Sequence, residues 1–350
     1  MSLFSWGWRD EAFLPGEGLE LGRVIAGFGG RCTVVTEEDE VSATISGRLH
    51  YFADSPAELP VVGDWVILRQ VLRQALRQAV VERVLPRRTA LRRRAAGTRS
   101  EEQVLAANVD TVFIVSGLDD DWNVRRLERY LVVVLESGAK PVLILNKADL
   151  CPDAEPVMEA ARGIAGGAEV LLVSAMQGAG AAEIAARLAP GETGALIGSS
   201  GAGKSTLLNC LMGRDAQAVR EVRETDSRGR HTTTHRQLFR LADGGLLIDQ
   251  PGLREVQLWT DPGGVGDAFP EIRVLAQACR FPDCRHQGEP DCAVRVALEA
   301  GTLDEARLLS FHKLERETQR LVRETDPLAA GRRKREMKRI SRNMRRFYRE

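Results

Sequence analysis

The chain has 350 residues, of which 43% are hydrophobic, and its 49 Lys or Arg balance its 49 Asp or Glu to a formal net charge of zero. This length predicts two or three domains, and the hydrophobic content excludes a disordered protein. The N-terminus carries Asp and Glu early and lacks an apolar segment of the signal-peptide type, and no run reaches the length of a membrane span. We therefore expect a cytoplasmic protein without a membrane partner.

Two segments are strongly basic despite the neutral total. Residues 86–99 are rich in arginine, and residues 332–350 hold ten Lys or Arg against two Glu. The second segment also contains Phe347 and Tyr348. Cations neutralise phosphates and aromatic rings stack on bases, so this tail fits RNA binding as well as it fits a solvated helix face.

Residues 1–105 predict a small β-barrel. The stretches VSATISGRLHY and VGDWVIL are strand-like, and glycine-rich turns such as GFGG separate such pieces. Short strands of this kind fit the OB-fold, which is a common RNA-binding barrel. The repeat RQVLRQALRQAV has a helical period inside this region, and we interpret it as an expanded hairpin connection.

From residue 106 to residue 261, strand patterns alternate with helical patterns. VDTVFIV, PVLIL, AEVLLVSA and ETGALIG are apolar strands, and amphipathic segments separate them. The alternation predicts a mostly parallel, doubly wound sheet whose ligand lies at the carboxyl ends of the strands. Residues 262–350 contain Cys and His and then a helical pattern, so they predict a mostly helical third domain.

The segment GSSGAGKST follows an apolar strand and precedes a helix, and it fits the phosphate-binding pattern G-x-x-x-x-G-K-[ST]. Its glycines let backbone N–H groups point at phosphate oxygens, and the helix N-terminus adds positive potential. Lys204 is expected to reach the β and γ phosphates, and Ser205 is expected to bind Mg²⁺. The predicted nucleotide-binding residues of this loop are Gly198, Ser199, Ser200, Gly201, Ala202, Gly203, Lys204, Ser205 and Thr206.

The segment NKAD predicts that the base is guanine. The Asp149 carboxylate can accept hydrogen bonds from both N1–H and the exocyclic amine of guanine, which adenine cannot match, so an ATPase is disfavoured. The Lys147 stem can lie along the base, and Asn146 can tie this loop to the phosphate loop. Ser174 and Ala175 end the next strand, where backbone N–H groups can meet the guanine O6.

The order of these motifs is rotated relative to ordinary GTPases, because the base-reading segment precedes the phosphate loop and the switch segments follow it. The later switch, D-x-P-G, offers Asp249 to the magnesium shell and the N–H of Gly252 to a γ-phosphate. It leads directly into the Cys/His segment. A movement that depends on the γ-phosphate can therefore be passed to the C-terminal domain.

GRHTTTH is the candidate first switch. Thr233 and Thr234 are both candidates for the hydroxyl that binds Mg²⁺, and the sequence does not choose between them. Many GTPases have a water-orienting Gln after the D-x-x-G glycine, where this chain has Leu253. His231 is the candidate replacement because an imidazole can position water near neutral pH. Lys204 and His231 are thus the predicted catalytic residues, with slow hydrolysis until a partner orders the loop.

The segment CRFPDCRHQGEPDC predicts a metal site. In a reducing compartment, clustered cysteines favour a metal over disulfides. Three thiolates and one imidazole complete a tetrahedral zinc set and leave no position for water, so we expect a structural Zn²⁺. The predicted ligands are Cys279, Cys284, His286 and Cys292.

Together these motifs resemble those of the circularly permuted ribosome small-subunit-dependent GTPases, the RsgA or YjeQ type. The resemblance covers nearly the whole chain, including the OB-like start, ANVD, NKAD, the phosphate loop, GRHTTTH, D-x-P-G and the cysteine cluster. It implies an N-terminal OB-fold, a permuted GTPase domain and a C-terminal zinc domain. It also implies a GTPase that the small (30S) ribosomal subunit stimulates and that acts late in the maturation of that subunit. The departures are the Arg-Gln repeat and Gln250, where many GTPases carry Thr.

Two alternatives stay open on the sequence. One is a nucleotide-regulated RNA-binding module with negligible hydrolysis, which Leu253 keeps open, and the other is a GTPase that handles a metal. The expected partners are GTP or GDP and the small ribosomal subunit with its rRNA. The expected cofactors are one structural Zn²⁺ and the Mg²⁺ that accompanies GTP. A monomer is expected because no heptad seam is evident.

Overall fold

The computed structural model describes residues 2–28, 30–73, 76–94, 102–213, 236–249 and 264–325. The chain divides into two compact units, one of residues 1–93 with 102–257 and the other of residues 258–350 with 94–101. Within the described ranges, no helix is both long and apolar enough to cross a membrane.

Five strands of the first unit form a closed barrel. They are β1 (Glu20–Phe28), β2 (Arg31–Val35), β3 (Glu40–Ile45), β4 (Trp65–Arg73) and β5 (Leu76–Val84). Neighbours pair in the order β1-β2-β3-β5-β4, and β4 pairs back to β1, which closes the barrel. Val24, Val34 and Val66 belong to its fully buried apolar core. The predicted OB-like barrel is therefore confirmed.

Two details predicted for this barrel are wrong. The stretch GRLHY is not a strand, since Gly47–Phe52 form helix α1, whose N-terminus is capped by the Ser46 hydroxyl accepting from the Leu49 N–H at 3.0 Å. The Arg-Gln repeat is not a connection either, because it forms the paired ends of β4 and β5, with Val71 opposite Gln78. A four-residue repeat is compatible with a strand, since residues i and i+4 of a strand also share one face.

The central sheet of the first unit has five parallel strands and one antiparallel strand. After a two-stranded ladder of β6 (Ala90–Arg94) and β7 (Glu102–Ala107), the chain enters this sheet. Its strands are β8 (Thr111–Gly117), β9 (Lys140–Asn146), β10 (Glu169–Leu172), β11 (Thr193–Gly198), β12 (Arg236–Arg240) and β13 (Leu246–Asp249). Their order is β10-β9-β8-β11-β13-β12, and β12 runs antiparallel to β13. The carboxyl ends of the parallel strands consequently share one edge.

Helices accompany this sheet as the sequence predicted. They are α2 (Val124–Glu136), α3 (Glu155–Ile164), α4 (Ala181–Ala185) and α5 (Lys204–Met212). In α2 the buried residues Leu127, Leu131 and Val134 recur at helical spacing and form one apolar face. β8 and β11 are buried along their whole length, which is typical of parallel strands covered on both faces.

A strand pair and a buried arginine join the barrel to the central sheet. β1 pairs with β12 and places Ala26 opposite Gln237. Arg23 of β1 is 1% exposed, and its Nη2 donates to Oγ1 of Thr193, the first residue of β11, at 2.8 Å. Burial lowers the pKa of Arg23 to about 9. The barrel is therefore fixed to the strand that carries the predicted phosphate loop.

The described part of the second unit is helical, as predicted. It contains α6 (Gly264–Asp267), α7 (Pro270–Ala276), α8 (Ala293–Glu299) and α9 (Glu305–Thr325). The Arg307 guanidinium lies over the Phe269 ring, 4.0 Å from its centroid, and Nε donates to Glu271 at 2.6 Å. This partly buried ion pair and cation–π contact tie α9 to α7 and to the residue that precedes it.

Gly63 at the junction of barrel and sheet gives a test of this packing. Its φ is +92°, and a Cβ there would overlap the carbonyl oxygen of Ala107. We expect Gly63→Ala to lower the free energy of unfolding by about 2–4 kcal/mol, because a left-handed backbone and a backbone clash add together. Urea denaturation of the full chain measures this change.

Gly47→Ala is the matched control. Gly47 opens α1, and a Cβ there would meet no atom within 4 Å. Alanine favours helix, so this variant should match the wild type or exceed its stability by up to about 1 kcal/mol. Equal destabilisation by the two substitutions would contradict the crowding at Gly63.

Candidate functional site

The carboxyl ends of β8, β9, β11 and β13 bring the predicted nucleotide-binding segments to one edge of the central sheet. β9 ends at Asn146, and β11 ends at Gly198, where the phosphate loop begins. β13 ends at Asp249 and lies beside β11, with Ile248 opposite Ala195. Segments that are far apart in the sequence thus meet where a doubly wound sheet binds its ligand.

The phosphate loop has the backbone that its glycines predict. Gly198, Gly201 and Gly203 have φ values of +145°, +88° and +93°, which other residues rarely adopt. Lys204 begins α5, and its Nζ donates to the Gly198 carbonyl at 2.9 Å and also to the Ser199 carbonyl. The loop therefore curls around the lysine amine at the N-terminus of a helix, which is the geometry of an anion site.

The remaining residues of this loop differ in their exposure. Ser200 and Ser205 are exposed, Thr206 is half-buried, and Ala202 is buried. Burial lowers the pKa of Lys204, and the carboxylates of Asp121 and Asp249 oppose that shift. The two carboxylates thus lie close enough to stabilise the charged amine.

Asn146 connects the base segment to the phosphate loop. It is 2% exposed, and its Nδ2 donates to the Ala202 carbonyl at 2.9 Å. Its Oδ1 accepts from the Ala175 N–H at 3.0 Å. Gly203 leaves room for this amide, because a Cβ on Gly203 would overlap the Asn146 Nδ2. One side chain therefore holds the three predicted binding segments together.

The predicted guanine reader is accessible. Asp149 is exposed in the short 3-10 turn Ala148–Leu150, and its Oδ1 accepts from the buried Ser174 hydroxyl. A cavity of about 380 Å³ lies between the loop that begins at Ala175 and the side of α5. Its walls also include Met176, Gln177, Gly178, Thr206, Asn209, Cys210 and Gly213. The space is in the size range of small-molecule pockets.

Sequence reasoning missed two carboxylates in the loop after β8. Asp119 pairs with Lys147, with Oδ2 and Nζ 2.5 Å apart. Asp121 accepts from the Ser199 hydroxyl at 2.6 Å and from the Gly117 N–H at 3.2 Å. The signal that could have found them is the run Asp119 to Asp121 directly after the carboxyl end of a buried strand.

Several predicted site residues lie outside the described residues. They are His231, Thr233, Thr234 and Gly252, and the same holds for Gln250 and Leu253. Their roles remain predictions from the sequence.

The second unit brings together the four predicted zinc ligands. One ligand atom from each of Cys279, Cys284, His286 and Cys292 lies within 4.8 Å of all the others. The His286 Nδ1 is 3.6 Å from the Cys279 sulfur and 3.5 Å from the Cys292 sulfur, and the two sulfurs are 3.9 Å apart. Tetrahedral zinc requires about 3.6 Å between nitrogen and sulfur and about 3.8 Å between sulfurs. The donor set therefore fits Zn²⁺.

The loop that carries these ligands is held by its own hydrogen bonds. The Glu289 carboxylate accepts from the backbone N–H groups of Arg285 at 2.9 Å and Gln287 at 2.8 Å. These bonds lower the pKa of Glu289 to about 2. His286 has a φ of +61°, a left-handed conformation that turns the chain back toward the cysteines.

The clash between position 203 and Asn146 gives a second prediction. Gly203→Ala should lower the melting temperature of the nucleotide-free protein more than Gly201→Ala does. Both glycines have nearly the same positive φ, but a Cβ on Gly201 would meet no atom within 4 Å. Thermal unfolding of the two variants isolates the link through Asn146. Equal melting temperatures would contradict that link.

The zinc site gives a third prediction. Cys292→Ala should reduce bound zinc from about one ion per chain to nearly none, because three remaining ligands hold a structural ion far more weakly. Cys151→Ala is the control, since Cys151 lies in the first unit and outside the cluster. Elemental analysis of the purified proteins measures zinc content, and full zinc retention by Cys292→Ala would rule out this ligand set.

The chain is similar to proteins of one family. The family model described as RsgA GTPase matches residues 84–259. A relative from Opitutus terrae, named small ribosomal subunit biogenesis GTPase RsgA, is 48% identical over 342 residues, which cover 94% of this chain and 93% of the relative. A relative of the same name from Syntrophotalea carbinolica is 44% identical, with 96% and 93% covered.

A solved structure agrees in fold with this chain. The crystal structure of YjeQ from Thermotoga maritima aligns with a TM-score of 0.63 and 26% identity, covering 86% of this chain and 99% of that one. These similarities span the barrel, the central sheet and the loops at its edge. The chain therefore belongs to the RsgA GTPase family, as its motifs predicted.

Proposed function

We propose that this protein matures the small ribosomal subunit, that the subunit and its rRNA stimulate its GTP hydrolysis, and that it acts late in assembly, in the cytoplasm. One observation carries the proposal. Asn146 of the base segment is hydrogen-bonded to Ala202 of the phosphate loop, in a chain that is 48% identical, over 94% of its length, to a relative named small ribosomal subunit biogenesis GTPase RsgA. The alternative of a binding module with negligible hydrolysis is not favoured, because the matched relatives are named GTPases.

GTP is proposed to bind across the edge of the central sheet. Residues 198–206 would hold the phosphates, and Asp149 would read the guanine, supported by the exposed position of its carboxylate. The Ser174 hydroxyl donates a hydrogen bond to one oxygen of Asp149. A backbone N–H near Ala175 would donate to the guanine O6.

Lys204 has a direct role in this proposal. In the structure its amine bonds to two backbone carbonyls of its own loop. Phosphate oxygens that enter the loop belong to an ionised group and accept stronger hydrogen bonds than carbonyls do. The amine would therefore exchange carbonyl partners for the β and γ phosphates and stabilise the charge that develops during hydrolysis.

Mg²⁺ would neutralise charge on the β and γ phosphates when it is bound. The Ser205 hydroxyl at the start of α5 and the Asp249 carboxylate at the end of β13 are proposed to hold it, with Thr233 or Thr234 adding a hydroxyl. His231 is proposed to orient the attacking water, because Leu253 cannot do so. Gly252 would sense the γ-phosphate.

Each of the three predicted domains is proposed to have a separate function. Residues 1–105 would contact rRNA through the barrel, residues 106–261 would bind and hydrolyse GTP, and residues 262–350 would hold zinc and contact rRNA through the basic tail. An OB-like barrel and a cationic, aromatic-containing tail both suit RNA. The protein is proposed to act as a monomer.

Hydrolysis assays test the proposal. Purified protein should hydrolyse GTP slowly alone and at least about tenfold faster with isolated small subunits, because a partner that orders the switch completes the site. Large subunits and naked RNA serve as comparison arms. A low rate that none of these partners changes would contradict the proposed function.

The same assay tests the proposed catalytic histidine. His231→Ala should reduce the stimulated rate by about a hundredfold while GDP affinity stays within a factor of about two. His235→Ala is the control in the same segment and should retain most of the stimulation. Equal losses in both variants would argue against a special role for His231.

A further inference from the structure

The segment between β8 and α2 contacts both nucleotide-binding loops. Asp119 pairs with Lys147 of the base loop, and Asp121 accepts from Ser199 of the phosphate loop. We propose that Asp119 and Asp121 form a carboxylate brace that positions both loops, so that they are positioning residues for base and phosphate binding. This proposal rests on the proposed function as a GTPase.

The Asp119 arm fixes the end of the lysine that would lie along the base. Its Oδ2 is 2.5 Å from the Lys147 Nζ, while Oδ1 accepts from the Asp121 N–H at 3.2 Å. Gly117 makes room for the pair, because a Cβ there would overlap the Asp119 carboxylate. The hydrogen bond from Lys147 lowers the pKa of Asp119, which therefore stays charged at neutral pH.

Ordering Lys147 in advance should matter for nucleotide affinity. A lysine side chain loses much rotamer freedom when a ligand immobilises it, and a partner that already holds it removes part of that cost. The pair is partly exposed, with 25% of the Lys147 side chain and 33% of the Asp119 side chain accessible. Its effect should accordingly be modest and should weaken with salt.

The Asp121 arm is more buried and has more partners. Only 14% of its side chain is accessible, and Arg126 Nη2 donates to Oδ1 at 2.6 Å. The Ser199 hydroxyl and the Gly117 N–H complete its partners in the structure. Three donors fix the carboxylate, and the carboxylate in turn fixes Ser199 within the phosphate loop. Loss of this charged acceptor should therefore cost more than loss of Asp119.

Dissociation of a fluorescent GDP from the full-length protein tests the brace. Asp119→Asn should accelerate dissociation about threefold to fivefold at low salt and less at high salt. In a Lys147→Met background the same change should have no further effect, because Asp119 acts through the lysine. If Asp119 had only a general structural role, Asp119→Asn would still accelerate dissociation in the Lys147→Met background.

Asp121→Asn should accelerate dissociation by about tenfold or more, and the change should shrink when Ser199 is already Ala. Asp120→Asn removes the same charge from the exposed residue between them and should stay within about twofold of the wild type. Thermal melting checks that each variant is folded. If Asp121→Asn does not fold, Ser199→Ala tests the same bond from its other side, with a faster dissociation expected.

The outcomes separate the brace from the proposed function. If the wild type binds GDP but Asp119→Asn adds its full effect in the Lys147→Met background, the brace is wrong and the GTPase assignment stands. If Asp120→Asn matches Asp121→Asn, the effects reflect general charge rather than positioning, and the brace is also wrong. Failure of the wild type to bind GDP would overturn both proposals.

Discussion

The buried amide of Asn146 is the contact on which the nucleotide site depends. It donates to the Ala202 carbonyl at 2.9 Å and accepts from the Ala175 N–H at 3.0 Å, so it uses both ends of the group at once. A buried amide without partners is costly, which makes this arrangement strongly preferred over any other rotamer. The base segment, the strand end after it and the phosphate loop therefore have one relative placement. Gly203 is required for the same reason, since only glycine leaves space for the amide.

The permuted order of motifs does not disturb this placement, because a parallel sheet brings all carboxyl ends to one edge wherever the chain begins. The permuted order instead changes which other parts of the chain are connected to the strands of the nucleotide site. β12, which returns the chain to the sheet after the first switch segment, pairs with β1 of the barrel. Arg23 of β1 is bonded to Thr193 at the start of the phosphate-loop strand. The barrel and the sheet edge that carries the nucleotide-binding loops thus share one continuous set of strands.

The zinc cluster is organised differently from the nucleotide site. All four ligands come from fourteen consecutive residues, so the loop needs only local turns to assemble them. The positive φ of His286 and the backbone bonds to Glu289 supply those turns. The nucleotide site, in contrast, draws on strand ends from the whole central sheet. This difference explains why the cluster was predictable down to each ligand, whereas the surroundings of the nucleotide loops were not.

The barrel, the alternation of strands and helices, the phosphate loop, the guanine segment and the zinc ligands are all predictable from the residues alone, because each depends on short-range spacing or on a fixed loop conformation. The residues that support these features are identified by the folded structure. A run of three aspartates reads as a solvated turn, and the path of the loop after β8 places Asp119 on Lys147 and Asp121 on Ser199. The Arg-Gln repeat became paired strands because a period of four fits both a helix and a strand, and the ladder between β4 and β5 selected the strand. Contacts between residues that are distant in the sequence leave no pattern in the local sequence, so they can be identified only in the folded structure.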